Sequence, residues 1–244
     1  MDGFTHNVER LVLDVISDDN VQDVVGTIVE KEGRIDVLVN NAGVLCTGPV
    51  IDIPMDEIQR AYDANVFSII RMCKAVIPHM AARKSGTIVN ISSIQAYAPS
   101  SWCSLDRPTP WAGIYASSKA AMHSLSEVLY MECTPLNIAV VLVTTGAVRS
   151  NLANNRLATF PGLPEGSLYA RYLPNIVERV SMSQSADSMP TDEYARRVVR
   201  STLQGRPPRQ MRLGGKTLLY RVIQWLPRGF VLWLLWRRFS RSTK

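Results

Sequence analysis

Short apolar runs alternate with stretches of helical periodicity through the first 145 residues, and this alternation constrains the fold more than any other feature. Residues 11–13 (Leu-Val-Leu) read as a buried strand ending at Asp14. Val21, Val24, Val25, Ile28 and Val29 then recur at helical spacing, with Ser17 or Asp18 as cap and Gly33 as stop. Residues 35–39 form a second apolar run, leading into Asn40-Asn41-Ala42-Gly43. A long helical stretch after Pro54 carries Ile58, Tyr62, Asn65, Ile69 and Cys73 near one face. Residues 86–92 read as a third strand, 115–132 as a helix and 138–143 as a fourth strand. Strands and helices in this order and at these lengths predict an α/β domain, a parallel sheet with helices on both faces. Residues 146–188 are rich in Asn, Pro, Gly and Ser and read as loop with short helices.

The charge is distributed unevenly. Of 27 Lys+Arg, 13 lie after Glu193, where no acidic residue occurs, so a net formal charge of +6 hides an acidic body. Arg206-Pro-Pro-Arg209 marks the boundary between a core over 1–205 and a tail over 206–244. In the tail, Leu218, Leu219, Val222, Ile223 and Leu226 form a helical apolar stripe. After Pro227-Arg228 come seven apolar residues, 230–236, then Arg237-Arg238. This window is too broken for a transmembrane helix, which wants about twenty apolar residues. Trp and Arg around an apolar centre suit an interfacial helix on anionic lipid. The same pattern also fits a C-terminal helix packed over a substrate pocket. No groove-reading motif accompanies the charge, so nucleic acid is not the expected partner. The four cysteines and three histidines lack disulfide-framework or metal-ligand spacing, and polar residues follow Met1 in place of a signal peptide.

Tyr115 and Lys119 sit four apart on a predicted helix and share one face. An ammonium beside a phenol favours phenolate, which predicts a lowered Tyr115 pKa suited to acid/base work. Such a pair alone is weak, but its neighbours are informative. Asn40-Asn41-Ala42-Gly43 follows a buried strand at the carboxyl edge where open α/β sheets bind ligands. Asn65 lies in the next helix, and Ser92-Ser93 ends the strand before the Tyr115 helix.

Asp14, the Asn-Asn-Ala-Gly run, a helix Asn, a strand-end Ser and Tyr-x-x-x-Lys, in that order, resemble the short-chain dehydrogenase/reductase family over roughly residues 10–205. Thr109-Pro-Trp-Ala-Gly-Ile-Tyr115, Arg149-Ser-Asn151 with Asn154-Asn155, and Trp225-Leu-Pro-Arg228 look like its acyldihydroxyacetone-phosphate reductase-like branch. The resemblance implies a Rossmann-like doubly wound sheet. It makes Tyr115 the proton donor and acceptor, Lys119 its partner and a ligand of the nicotinamide ribose, and Ser93 a hydrogen-bond donor to the carbonyl. Asn65 would keep a water in the proton relay. Asp14 would meet the adenine and Asn41 the adenosine ribose, while Val148 and Ser150 would contact the nicotinamide carboxamide and pyrophosphate. Asp14 also reads as a helix-capping acid, Asn41 as a turn residue, and Trp111 as either a packed aromatic or a substrate contact.

Three departures from the family follow. No Gly-rich turn, which a pyrophosphate needs at a helix N-terminus, is present. By comparison with the family the chain begins just before the third strand, which would leave a raw sheet edge. Thr145 stands where the family usually has Pro, which predicts a looser loop. Ser93 and Tyr115 are 22 residues apart, wider than usual, so residues 100–108 read as an insertion, with Trp102 available to a lid or substrate wall.

The resemblance implies an oxidoreductase interconverting a ketone and a secondary alcohol on a lipid-like or secondary-metabolite substrate. NADP is the implied cofactor, with NAD also open because the strand end that reads the ribose is absent. The expected partners are that small molecule, an anionic membrane surface through residues 217–244, and a second copy of the chain in a homo-oligomer. The expected place is the cytoplasmic side of the endoplasmic reticulum or a lipid droplet. A non-catalytic, membrane-associated interaction protein is the alternative that the missing turn leaves open.

Overall fold

The computed structural model describes residues 8–96, 109–215 and 226–241. Four parallel strands form one sheet in the order β1 (Val37–Asn40), β2 (Gly86–Ser93), β3 (Ile138–Thr145) and β4 (Gln210–Leu213). The register aligns Asn40 with Asn90 and Ser93 with Thr145, so the carboxyl ends of β1 to β3 open on one edge. Helices cover both faces, as the alternation predicted. On one side α1 (Asp18–Glu32), α3 (Ser68–Ala82) and α4 (Gly113–Cys133) bury Val21, Val25, Val76, Met80 and Met122 against Leu38, Ile88 and Val140. On the other, Tyr194 and Val198 of α7 (Thr191–Thr202) pack on Val89, Val141 and Met211.

Local chemistry sets the boundaries. The Ser17 hydroxyl accepts from the Asn20 N–H to start α1. Gly33 ends α1 at φ 74°, and its N–H bonds the Val29 carbonyl. The long helix after Pro54 is divided: α2 (Met55–Tyr62), one π turn (Asp63–Phe67), then α3. The extra residue of that π turn is what turns Asn65 into the interior, where its side chain is fully buried.

Two readings are corrected. Residues 11–13 are not a strand; Leu11, Val12 and Leu13 are exposed. Three apolar residues cannot hold an extended conformation without a ladder partner, and β1 pairs only with β2 among the described residues. The boundary at 205 also falls short of the sheet's end. β4 lies beyond the Arg206-Pro-Pro-Arg209 punctuation and pairs with the second half of β3.

The connection after β3 carries α5 (Leu152–Thr159) and α6 (Leu173–Ser181). The final helix, α8 (Arg228–Phe239), turns Val231, Leu235 and Phe239 inward, residues four apart on one face. Leu235 and Phe239 join Trp111, Tyr172 and Ile176 in a small aromatic core. Residues 100–108, read as an insertion, and the stripe at 218–223 lie outside the described residues.

Candidate active site

A cleft of about 450 Å³ opens at the carboxyl edge of the sheet. Each strand end delivers one side of it. β1 leads into Asn41, Ala42 and Gly43; β2 ends at Ser92 and Ser93; β3 runs into Thr145, Gly146 and Val148. α4 begins beneath the cleft and presents Tyr115 and Lys119 on one face, both at most 7% exposed. Gly113 at the start of α4 fits because a Cβ there would lie 2.7 Å from the Val50 side chain.

The Ser93 hydroxyl lines the cleft with the Tyr115 phenol, whose ionisation it favours, and accepts from the Gln95 N–H at 3.2 Å. Ser92 instead points its hydroxyl at the Lys119 carbonyl, 3.5 Å away. Lys119 Nζ donates to the Ile91 carbonyl at 3.1 Å and lies 6.0 Å from the centre of the Tyr115 ring. Asn65 does not touch the phenol. Its Oδ1 accepts from the Val44 N–H at 2.8 Å, and its Nδ2 donates to the Val44 carbonyl and the Ser118 hydroxyl, each at 3.0 Å. It thereby ties the strip after β1 to α4. A Cβ on Gly43 would fall 2.9 Å from Asn65 Oδ1 and 3.5 Å from Lys119 Nζ, so only glycine lets that backbone approach so closely.

The electrostatics differ from the expectation. Burial pushes the Tyr115 phenol above its ordinary range, and the groups that pull against it are the Ser93 hydroxyl, then the Arg179 guanidinium. Burial also lowers Lys119 to about 8. The desolvation of both partners outweighs the stabilisation that the ammonium was expected to give the phenolate, because its hydrogen bond runs to a backbone carbonyl. At neutral pH the phenol is protonated, the form of a proton donor.

Asn41, Val148 and Ser150 line the same cleft as Ser93, Tyr115 and Lys119. Asp14 does not. Its Oδ1 accepts from the Ile16 N–H at 3.1 Å and its own N–H donates to Asn20 Oδ1 at 2.6 Å, which shapes the turn into α1. Trp111 lies behind the cleft, packed against Tyr169, Tyr172 and Trp236 with Nε1 donating to the Phe239 carbonyl at 2.8 Å. The loop at Thr145 is held, not loose. The Thr145 hydroxyl lies 2.5 Å from the Tyr194 hydroxyl, and the Thr145 carbonyl accepts from Ile94. Gly146 and Ala147 continue the contact with β4 and the residues after it.

Two cleft residues escaped the sequence reading. Tyr194 comes from α7, and burial raises its phenol to about 12. Arg179 comes from α6 and is buried. Its signal was an arginine between Ile176 and Val180 on the apolar stripe of a short helix, a position where an unpaired charge is costly.

Comparison with known proteins decides the family: residues 4–159 match the model described as short chain dehydrogenase. The chain belongs to that family. A short-chain dehydrogenase, cctT, of Talaromyces islandicus is 31% identical over 205 residues, 84% of this chain and 69% of that protein. An NADPH-dependent 1-acyldihydroxyacetone phosphate reductase of Schizosaccharomyces pombe is 32% identical over 73% of this chain and 58% of its own length. Among solved structures, a short-chain dehydrogenase from Streptomyces avermitilis is 26% identical with a TM-score of 0.73, covering 98% of this chain and 82% of that one. The chain thus spans roughly six- to seven-tenths of these curated relatives. The parallel sheet flanked by helices is the Rossmann-like fold of this family.

Proposed function

We propose that this protein interconverts a ketone and a secondary alcohol, with NADP as its cofactor and Tyr115 as the acid and base. One observation carries the reading: a buried Tyr115 phenol in the same cleft as Ser93, with Lys119 on the same helix face, at the carboxyl edge of a parallel sheet.

The residues present suit the nicotinamide end of such a cofactor. The backbone strip Asn41–Gly43 leaves no space for a side chain at Gly43, Lys119 supplies a positive charge, and no carboxylate is among the cleft-lining residues described. Tyr115, Lys119, Asn41, Val148 and Ser150 would hold it. When bound, it supplies or takes up the hydride. The chain's own residues handle the proton. A carbonyl oxygen bound against Ser93 and Tyr115 accepts a hydrogen bond from each hydroxyl, and the Tyr115 proton passes to that oxygen as the alcohol forms. In the reverse direction the phenolate takes the proton back. Asn65 sets the position of the strip through Val44, and the relay water assigned to it would sit between this strip and Lys119. The name of the Schizosaccharomyces pombe relative supports NADP and a lipid-like ketone as substrate.

The second part of the reading concerns the surface. While α8 buries Val231 and Phe239, it leaves Phe230, Leu232, Trp233, Leu234 and Trp236 between 40 and 49% exposed, close to Arg228, Arg237 and Arg238. Among the described residues no helix is long and apolar enough to cross a membrane. A helix with one face in the protein and an aromatic, arginine-flanked outer face fits the interfacial plane of an anionic bilayer on an intracellular membrane.

The test of the chemistry is Tyr115→Phe. It removes the donor but keeps the ring, and turnover of an acyl ketone with NADPH should fall by at least ~10²-fold, the low end for acid/base groups. Unchanged turnover would remove Tyr115 from the mechanism.

A further inference from the structure

Tyr194 is a buried phenol of the cleft to which the reaction scheme gives no task. It lies in the first turn of α7, where its N–H donates to the Pro190 carbonyl at 3.0 Å, and it joins Val89, Val141 and Val198 in the core. Its hydroxyl is 2.5 Å from that of Thr145, the last residue of β3. Burial raises the phenol to about 12, so both hydroxyls of the pair stay neutral through the working range. Directly after Thr145 the chain enters residues 146–150, the loop that carries Val148 and Ser150 into the cleft. That loop is gripped from two sides. On one, the Gly146 N–H donates to the Leu213 carbonyl at 2.7 Å, and Ala147 and Gly215 exchange backbone hydrogen bonds at 3.0 and 2.9 Å. On the other, the Met189 N–H donates to the Ala147 carbonyl and the Arg149 N–H to the Met189 carbonyl, each at 3.0 Å, and the Thr191 hydroxyl donates to the Arg149 carbonyl.

We propose that Tyr194 is a positioning residue for the loop 146–150: its hydroxyl ties the end of β3 to α7 and so fixes where Val148 and Ser150 stand in the cleft. The proposal rests on the reading of those two residues as cofactor contacts and adds to it a residue outside the Ser-Tyr-Lys-Asn set.

The need for the tie lies in what stands at position 145. The family usually has proline there, and a proline fixes its own φ without a partner. A threonine does not, and its hydroxyl supplies the constraint through Tyr194. The outer half of the grip, residues 189–191, leads straight into α7, with Tyr194 three residues further on. α7 seats on the sheet through Val198 and the Tyr194 ring, and apolar packing of this kind has no direction. A hydrogen bond has one, so the hydroxyl pair sets the place of α7 and its leading segment along β3. The loop has little slack to absorb an error. A Cβ on Gly214, which adopts φ 108°, would fall 2.9 Å from the Gly146 backbone, so a small displacement of the loop meets the chain leaving β4.

The deciding experiment removes the tie from either side in the full chain: Tyr194→Phe, Thr145→Val and the two together, with Thr145→Ser as the variant that keeps the hydroxyl. Hydrogen exchange without cofactor follows the Gly146, Ala147 and Arg149 amides. Tyr194→Phe and Thr145→Val should each speed their exchange roughly 5-fold, the scale of one net hydrogen bond. The double variant should do no more than either single one, and Thr145→Ser should stay near the parent. NADPH binding, followed by nicotinamide fluorescence, should weaken by a similar factor, and in turnover the loss should fall on KM for NADPH more than on kcat. If amides in the middle of β2 and β3 speed up as much as those of the loop, or if the two substitutions add, Tyr194 only supports the fold and the proposal is overturned. Thr145→Val decides if Tyr194→Phe fails to fold, and unmoved loop exchange in either variant overturns the proposal. A parent chain that binds no NADPH, with the loop alone loosened by Tyr194→Phe, would sink the cofactor reading and leave the tie standing.

Discussion

Asn65 offers a test of how the site is built, because its two assigned roles predict different outcomes on removal. As holder of a relay water it would matter only to turnover. The structure gives it a mechanical role as well: fully buried in a π turn, it makes three hydrogen bonds at 2.8 to 3.0 Å, two to Val44 and one to Ser118. Asn65→Ala removes all three. Each is worth about 1 kcal/mol net, and partly stranding the Val44 N–H and carbonyl adds to this, so the loss should be about 3 to 4 kcal/mol. For a chain of this size that corresponds to a fall in Tm of roughly 6 to 16 °C. Calorimetry or circular dichroism on the full chain measures it. Asn65→Asp keeps the acceptor for Val44 but gives up both donations and places a charge in the interior, so it should be at least as damaging at neutral pH. A melting temperature for Asn65→Ala within about 2 °C of the parent would refute the reasoning. Asn65 would then be left with the relay alone.

His123, lowered by burial to about 4, gives a pH prediction whose sign is fixed. A depressed histidine stabilises the fold fully above its unfolded value of about 6.5 and loses that contribution as pH falls toward 4, a loss of roughly 3 kcal/mol. Urea midpoints between pH 7 and 4 should therefore drop more steeply for the parent than for His123→Gln; parallel slopes would exclude His123 as the cause. For the membrane reading, Trp233→Ser with Phe230→Ser should cut co-sedimentation with anionic vesicles at least ~10-fold, since aromatic burial supplies the apolar part of binding. High salt should weaken binding of the parent without abolishing it, because each arginine near the surface adds about 1 kcal/mol that salt screens. No binding at low salt would end the membrane assignment.

What the sequence disclosed about the fold followed from how local each signal is. Ser17 and Gly33 bracket α1 because a capping hydroxyl and a left-handed C-cap need only their own neighbours. β2 and β3 were legible as apolar runs because both are buried on two faces. β4 was not: it is four residues long, pairs along one side and alternates burial, so only Met211 and Leu213 turn inward. Residues 11–13 misled for the converse reason. Apolar composition records a preference, but a strand exists only where a neighbour supplies hydrogen bonds. The division of the long helix at the π turn also had no sequence mark, although it decides where Asn65 points.

The site divides in the same way, and the division explains where its chemistry departs from the reading. Tyr115 and Lys119 are joined by one helical turn, and Ser93 by the end of a strand, so their proximity was legible. Their ionisation was not, because a pKa depends on burial and on charges brought in from elsewhere. Lys119 was expected to lower the phenol; burial raises the phenol and lowers Lys119, and what pulls against the phenol's shift is Ser93 and then Arg179, 64 residues away in sequence. That arginine is held partly by α8, whose outer face is also the surface proposed to meet a membrane. Deleting α8 would thus remove Val231 and Phe239 from the core as well as any membrane contact. Substitutions confined to Phe230 and Trp233 separate the two roles. If those substitutions abolish vesicle binding and leave the Tyr115 titration unmoved, the inner and outer faces of α8 act independently. A shift in the titration would mean that the bilayer-facing side also bears on the Tyr115 phenol.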